Sequence, residues 1–84
     1  MKIDIVPLAQ RKLERRGIPE GWVIETINLP SKIIPGYGGR KIAQRKYIIG
    51  EKEYLLRAVY EEEGEKKVVL TAYLTSQMER YGKE

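Results

Sequence analysis

Pro7-Leu8-Ala9-Gln10-Arg11-Lys12-Leu13-Glu14-Arg15-Arg16-Gly17-Ile18-Pro19-Glu20 is the stretch that decides the fold. Pro7 suits the first turn of a helix, where its missing N–H leaves no bond unmade. Leu8, Ala9, Lys12, Leu13 and Arg16 recur at helical spacing, and Gly17 reads as the C-terminal stop. Pro19 opens a second helix, with Glu20 favourable in its first turn. Trp22, Val23, Thr26 and Ile27 share one face of it, and Asn28 and Pro30 close it. Two short helices joined by Gly-Ile-Pro make an αα-hairpin.

Strand patterns flank that hairpin. Residues 2–6 alternate polar and apolar, with Ile3 and Ile5 on one side. Ile34-Pro35-Gly36-Tyr37-Gly38-Gly39 reads as a loop rich in turn residues. Residues 40–49 read as a strand, residues 50–52 as a turn, and residues 53–60 as a second strand. Residues 61–65 form a hairpin loop, and residues 66–74 a third strand. Residues 75–81 can form a short helix, with Thr75 or Ser76 as its cap. The order β-α-α-β-β-β predicts one α+β domain over residues 1–84, with an antiparallel sheet covered on one face by the hairpin.

Alternation sorts the strand side chains. Tyr54, Leu56, Ala58 and Tyr60 oppose Leu55, Arg57 and Val59. Val68, Leu70, Ala72 and Leu74 oppose Lys67, Val69, Thr71 and Tyr73. The more apolar sets are expected under the helices, which leaves Arg57, Thr71 and Tyr73 on the other face. In the strand over residues 40–49, either Ala43, Arg45, Tyr47 and Ile49 or Gln44, Lys46 and Ile48 line that other face; the Arg45/Tyr47 set is the expected one.

The chain has no His and no Cys, which removes the usual zinc sites, thiol nucleophiles and Ser–His–Asp machinery. No disulfide staples it, as suits a reducing cytoplasm. No signal-peptide pattern and no membrane-span-length apolar run is present. The net charge of +4 is unevenly spread. Residues 31–50 hold five cations (Lys32, Arg40, Lys41, Arg45, Lys46) and no acid, and residues 1–17 carry +3. An acid-free basic stretch has no internal counter-charge, so it projects positive potential toward a polyanion. Solubility alone is the other use of such a charge.

Arg57 stands in an otherwise apolar strand. Its guanidinium offers a planar fork suited to phosphate, or else forms a structural ion pair across the sheet. Tyr47 and Tyr73 can hydrogen-bond through the phenol or stack on bases, or simply pack. Ser31 and Thr71 have no base partner to activate them. The glutamates of residues 61–65 lack the spaced oxygen ligands of a calcium loop. The glycine loop matches neither a Walker A nor a dinucleotide fingerprint. RNA cleavage needs no metal: the 2′-hydroxyl attacks the adjacent phosphate, cations stabilise the charged transition state, and a positioned group moves the proton.

The stretch quoted first resembles a family of uncharacterised small domains similar to the RelE/ParE toxin superfamily and to BrnT toxins. That family carries the pattern His-Ala-x-x-Arg-apolar-x-x-Arg-Gly-Ile-Ser. Ala9, Leu13, Arg16, Gly17 and Ile18 match it directly; Lys12 stands for its Arg and Pro19 for its Ser. Val23 and Pro30 fall where the family has a helix valine and a closing proline. Val69-Leu70-Thr71-Ala72-Tyr73 resembles its late strand ending in Thr-x-Tyr. Leu8 stands where the family has His, so any part that His plays is missing here. The resemblance implies a RelE-like fold and a toxin of a type II toxin–antitoxin pair, or a domain derived from one. Such a toxin is often an mRNA endonuclease, free or ribosome-dependent, that needs no cofactor and has a cognate antitoxin; relatives also include toxins that act on gyrase and members with no established activity. On that basis Arg45, Arg57 and Tyr73 are the expected catalytic centre, and Lys32, Arg40, Lys41, Lys46 and Tyr47 the expected nucleic-acid contacts. The rival reading is a non-catalytic nucleic-acid- or protein-binding module on the same fold.

Overall fold

The computed structural model describes residues 2–76. Strand β1 (Lys2–Ile5) leads into helices α1 (Pro7–Arg16) and α2 (Glu20–Asn28). Strands β2 (Lys32–Pro35), β3 (Lys41–Ile49), β4 (Lys52–Glu63) and β5 (Lys66–Thr75) follow. The five strands form one mixed sheet in the order β1-β5-β4-β3-β2. The fold is α+β, with both helices on one face.

The αα-hairpin forms as the sequence predicts. Gly17 adopts φ 67°, ψ 31° and ends α1. Its N–H donates to the Glu14 carbonyl at 3.2 Å, and the Ile18 N–H donates to the Leu13 carbonyl at 2.9 Å. This double closure is a Schellman motif, and the buried Leu13 and Ile18 supply the apolar contact that accompanies it. No heavy atom lies within 4 Å of a Cβ added to Gly17, so a substitution there meets only backbone strain. Gly17→Val should destabilise the domain by about 1–2 kcal/mol in urea unfolding, with Gly17→Asn costing less. Equal stability of the valine variant would remove the left-handed closure as a determinant of the hairpin.

Three sequence expectations are corrected. The sheet is not purely antiparallel: β1 pairs parallel to β5, with Ile5 opposite Val69. Parallel neighbours need a long connection, and the whole chain between Ile5 and Lys66 supplies it. A fifth strand, β2, occupies part of the stretch read as a loop. It pairs antiparallel with β3 from Lys32↔Gln44 to Pro35↔Lys41. It is short and ends in proline, which an edge strand tolerates and a pattern search overlooks. The loop read over residues 61–65 shrinks to Gly64-Glu65, because Glu61, Glu62 and Glu63 stay in β4 opposite Val68, Lys67 and Lys66. Opposite charges facing each other across a ladder extend it. The helix expected over residues 75–81 lies almost wholly outside the described residues; Thr75 itself ends β5.

The core lies between helices and sheet. Ala9, Leu13, Ile18, Val23 and Ile27 pack on Ile5, Ala43, Leu56, Ala58, Tyr60, Val69 and Ala72. The β5 contribution differs from strict alternation. Val59 pairs with Thr71 and Tyr60 with Val69, so Leu70 is one residue extra on β5. This bulge puts Val69, rather than Val68 or Leu70, beside Tyr60 under the helices.

Candidate nucleic-acid interface

The sheet face away from the helices carries one polar row. Register places Gln44 opposite Arg57, and Arg57 opposite Tyr73, across β3, β4 and β5. Arg57 Nη1 donates to the Tyr73 hydroxyl at 2.8 Å. The guanidinium carbon lies 5.8 Å from the Tyr73 ring centroid. Gln44 is 1% exposed and Arg57 7% exposed. The Gln44 side-chain oxygen is buried and accepts no hydrogen bond among the described residues. The expected juxtaposition of Arg57 and Tyr73 is therefore present. Gln44 joins them because β3 takes the less expected of its two phases, the one that puts Gln44, Lys46 and Ile48 on this face.

That phase is the main correction to the site. Arg45 and Tyr47 lie on the helix side, not with Arg57. Tyr47 stacks on Trp22, ring centroids 4.6 Å apart and planes 9° off parallel. Its hydroxyl donates to Glu25 at 2.6 Å and lies 3.1 Å from the Trp22 carbonyl. Burial pushes the Tyr47 phenol pKa up, and the Glu25 hydrogen bond adds to that. Arg45 Nη1 donates to the Leu29 carbonyl at 2.6 Å, and its Nε lies 3.5 Å from Glu25. An apolar flank for Trp22 and a carboxylate at Glu25 hold both side chains against α2. Alternation alone carries no sign of which face α2 covers.

The other expected cations are also engaged. Arg40 pairs with Glu61 at 3.1 Å, Lys46 with Glu53 at 3.4 Å, and Lys41 with Glu62. Lys41 holds the Glu62 carboxyl below the usual range by hydrogen bond and charge, and is itself raised by it. Because the Glu62 pKa is lowered on folding, that pair contributes at neutral pH and is lost as acid protonates Glu62. The acid-free segment thus receives counter-charges from α2 and β4 once the chain folds. These pairs are solvent-exposed and individually weak, so a phosphate can exchange for the carboxylate. Lys46 shares the far face with Gln44, two residues along β3, next to the Arg57 row by register. Lys32 pairs with Gln44 at the β2 edge. The Ser31 hydroxyl donates to the Gln44 carbonyl at 3.0 Å, which ties β2 to β3. Thr71 lies 3.5 Å from Arg16 Nη1.

Among the described residues no three His, Cys, Asp or Glu side chains converge as metal ligands. No helix among them is long and apolar enough to cross a membrane. A scan against protein-family models, a search of curated proteins and a search of solved structures each found no match to this chain.

Proposed function

We propose that this is a RelE/ParE-like toxin, or a domain derived from one, that cleaves RNA in the cytoplasm without a metal at the Arg57–Tyr73 pair. The hydrogen bond between these two side chains, on the sheet face opposite α1 and α2, is the observation that carries the reading. The αα-hairpin over a strand meander supports a RelE-like arrangement of the sheet. In the proposed reaction the 2′-oxygen bonds to phosphorus and the bond from phosphorus to the 5′-oxygen breaks. The Arg57 guanidinium balances the charge that grows on the phosphoryl oxygens, and its low exposure strengthens that interaction. Tyr73 hands a proton to the departing 5′-oxygen, and the 2′ proton passes to water. Lys46, on the same face, holds a flanking phosphate in place of Glu53, whereas Lys41 lies on the helix side of β3 with Arg45 and takes no part at this pair. An antitoxin is the partner that this reading requires.

The low exposure of Arg57 also favours a second reading, as do the glutamate-paired cations. On that reading the domain binds RNA, or a protein, and does no chemistry. One experiment separates the two. The first reading expects cleavage that persists in chelator, stops when the 2′-hydroxyl at the cut site is replaced by hydrogen, and leaves a 5′-hydroxyl end. Binding without cleavage, across free RNA and ribosome-bound message alike, would establish the second.

A further inference from the structure

We propose that the solvent side of α1 is a nucleic-acid contact in its own right, in which Arg11, Lys12 and Arg15 bind the phosphate backbone of RNA apart from the Arg57–Tyr73 pair. Residues three and four apart are neighbours on a helix, so Lys12 and Arg15, and Arg11 and Arg15, form one ridge. Ala9 and Leu13 point to the core from the opposite side. Arg11 and Arg15 are exposed and Lys12 is half-buried.

The distribution of counter-charge singles out this ridge. α1 holds four cations (Arg11, Lys12, Arg15, Arg16) against Glu14 alone. Arg16 is occupied: its Nη1 donates to the Ala72 carbonyl at 2.7 Å. Arg11, Lys12 and Arg15 take part in no ion pair among the described residues, whereas Arg40, Lys41, Arg45 and Lys46 each face a glutamate. Four of the five cations in the segment that looks most basic along the chain are neutralised in space, whereas, among the described residues, three cations of α1 are not. Like charges at this spacing repel and weaken a helix. The C-terminal end of the helix dipole accounts for Arg15 and Arg16, but not for Arg11 and Lys12 in mid-helix.

The chemistry of the ridge selects the partner. A membrane-surface helix needs an apolar face to insert, and that of α1 is committed to the core; Leu8 is its one exposed large apolar residue. A protein partner needs an apolar centre within a polar rim, which the ridge lacks. Guanidinium forks and an ammonium along one helix suit successive phosphates.

The test is the salt dependence of binding to a labelled single-stranded RNA. The variant Arg11→Gln/Lys12→Gln/Arg15→Gln should lower the slope of log affinity against log salt by about 2 and weaken low-salt binding about tenfold or more. Glutamine has similar helix propensity, so the variant should keep its helical signal and unfold at the same or higher temperature. Arg40→Gln/Lys41→Gln/Lys46→Gln should move the slope less, and Arg57→Ala, which removes one phosphate contact, should lower it by less than about 1 even if cleavage is lost. An unchanged slope in the α1 variant overturns the proposal. So does a larger change in the β3 variant, or a loss of slope in Arg57→Ala equal to that of the α1 variant. Anionic vesicles or polyglutamate that bind as tightly as RNA, and lose as much in the α1 variant, would also overturn it.

Discussion

Arg57→Ala should lower RNA cleavage by about 10²–10³-fold, the usual cost of removing one preorganised donor from a developing oxyanion. The same change should relieve growth arrest when the chain is expressed in cells. Arg57→Lys keeps the charge but loses the planar fork, so it should recover only part of the rate. Tyr73→Phe keeps the ring over the guanidinium and removes the hydroxyl that Arg57 donates to at 2.8 Å. Its rate should fall with little change in RNA affinity, since the proton for the leaving oxygen is lost and the phosphate contact is not. Arg57 is nearly buried, so its removal also affects stability: an unmade buried hydrogen bond costs about 1–3 kcal/mol. Rates must therefore be compared per folded molecule, below the unfolding midpoint of each variant. If Arg57→Ala and Tyr73→Phe unfold more easily yet cleave at the wild-type rate when folded, the pair is a structural brace and the active site lies elsewhere.

Arg57 and Tyr73 could be paired from the sequence because each interrupts an apolar alternation, and because β4 and β5 are long strands joined by a tight turn. The αα-hairpin was legible for a similar reason: Pro7, Gly17 and Pro19 impose local backbone conformations that need no tertiary partner. What failed depended on distant parts of the chain. The phase of β3 is set by α2, whose Trp22 stacks on Tyr47 and whose Glu25 takes both Tyr47 and Arg45. Either phase satisfies the β3 alternation, since apolar and basic residues occur on both of its sides. The strand β2 exists because Lys32–Pro35 finds β3 at the sheet edge, not because four residues show a period. The bulge at Leu70 shifts half of β5 by one residue, which no alternation rule anticipates. Charge was the least transferable reading. Glu25, Glu61 and Glu62 lie far along the chain from the cations they neutralise, and Glu53 lies across the next turn from Lys46, so a run of like charge says little about the field around the folded domain.

Leu56→Ala should cause a large loss of stability. Leu56 is fully buried in β4, between Arg45 on β3 and Leu74 on β5, and faces the helices. The truncation removes apolar contacts and leaves a cavity that a helix-on-sheet core closes only in part, at a cost of about 2–5 kcal/mol. A domain of this size is stable by about 4–12 kcal/mol, so the change removes a large share of the whole. The unfolding midpoint should drop by about 10–30 °C. Ile48 is the control: it lies on the far face of β3 and is 69% exposed. Ile48→Ala should shift stability by less than about 0.5 kcal/mol. The contrast tests which side of the sheet carries the core, independently of any activity. If the two variants were equally destabilised, the helix-side core would not be the dominant apolar interface. The far face, with Leu55 at 3% and Arg57 at 7% exposure, would then have to supply a comparable part of the folding energy. In that case Arg57 belongs to a packed layer and not to a surface that receives RNA.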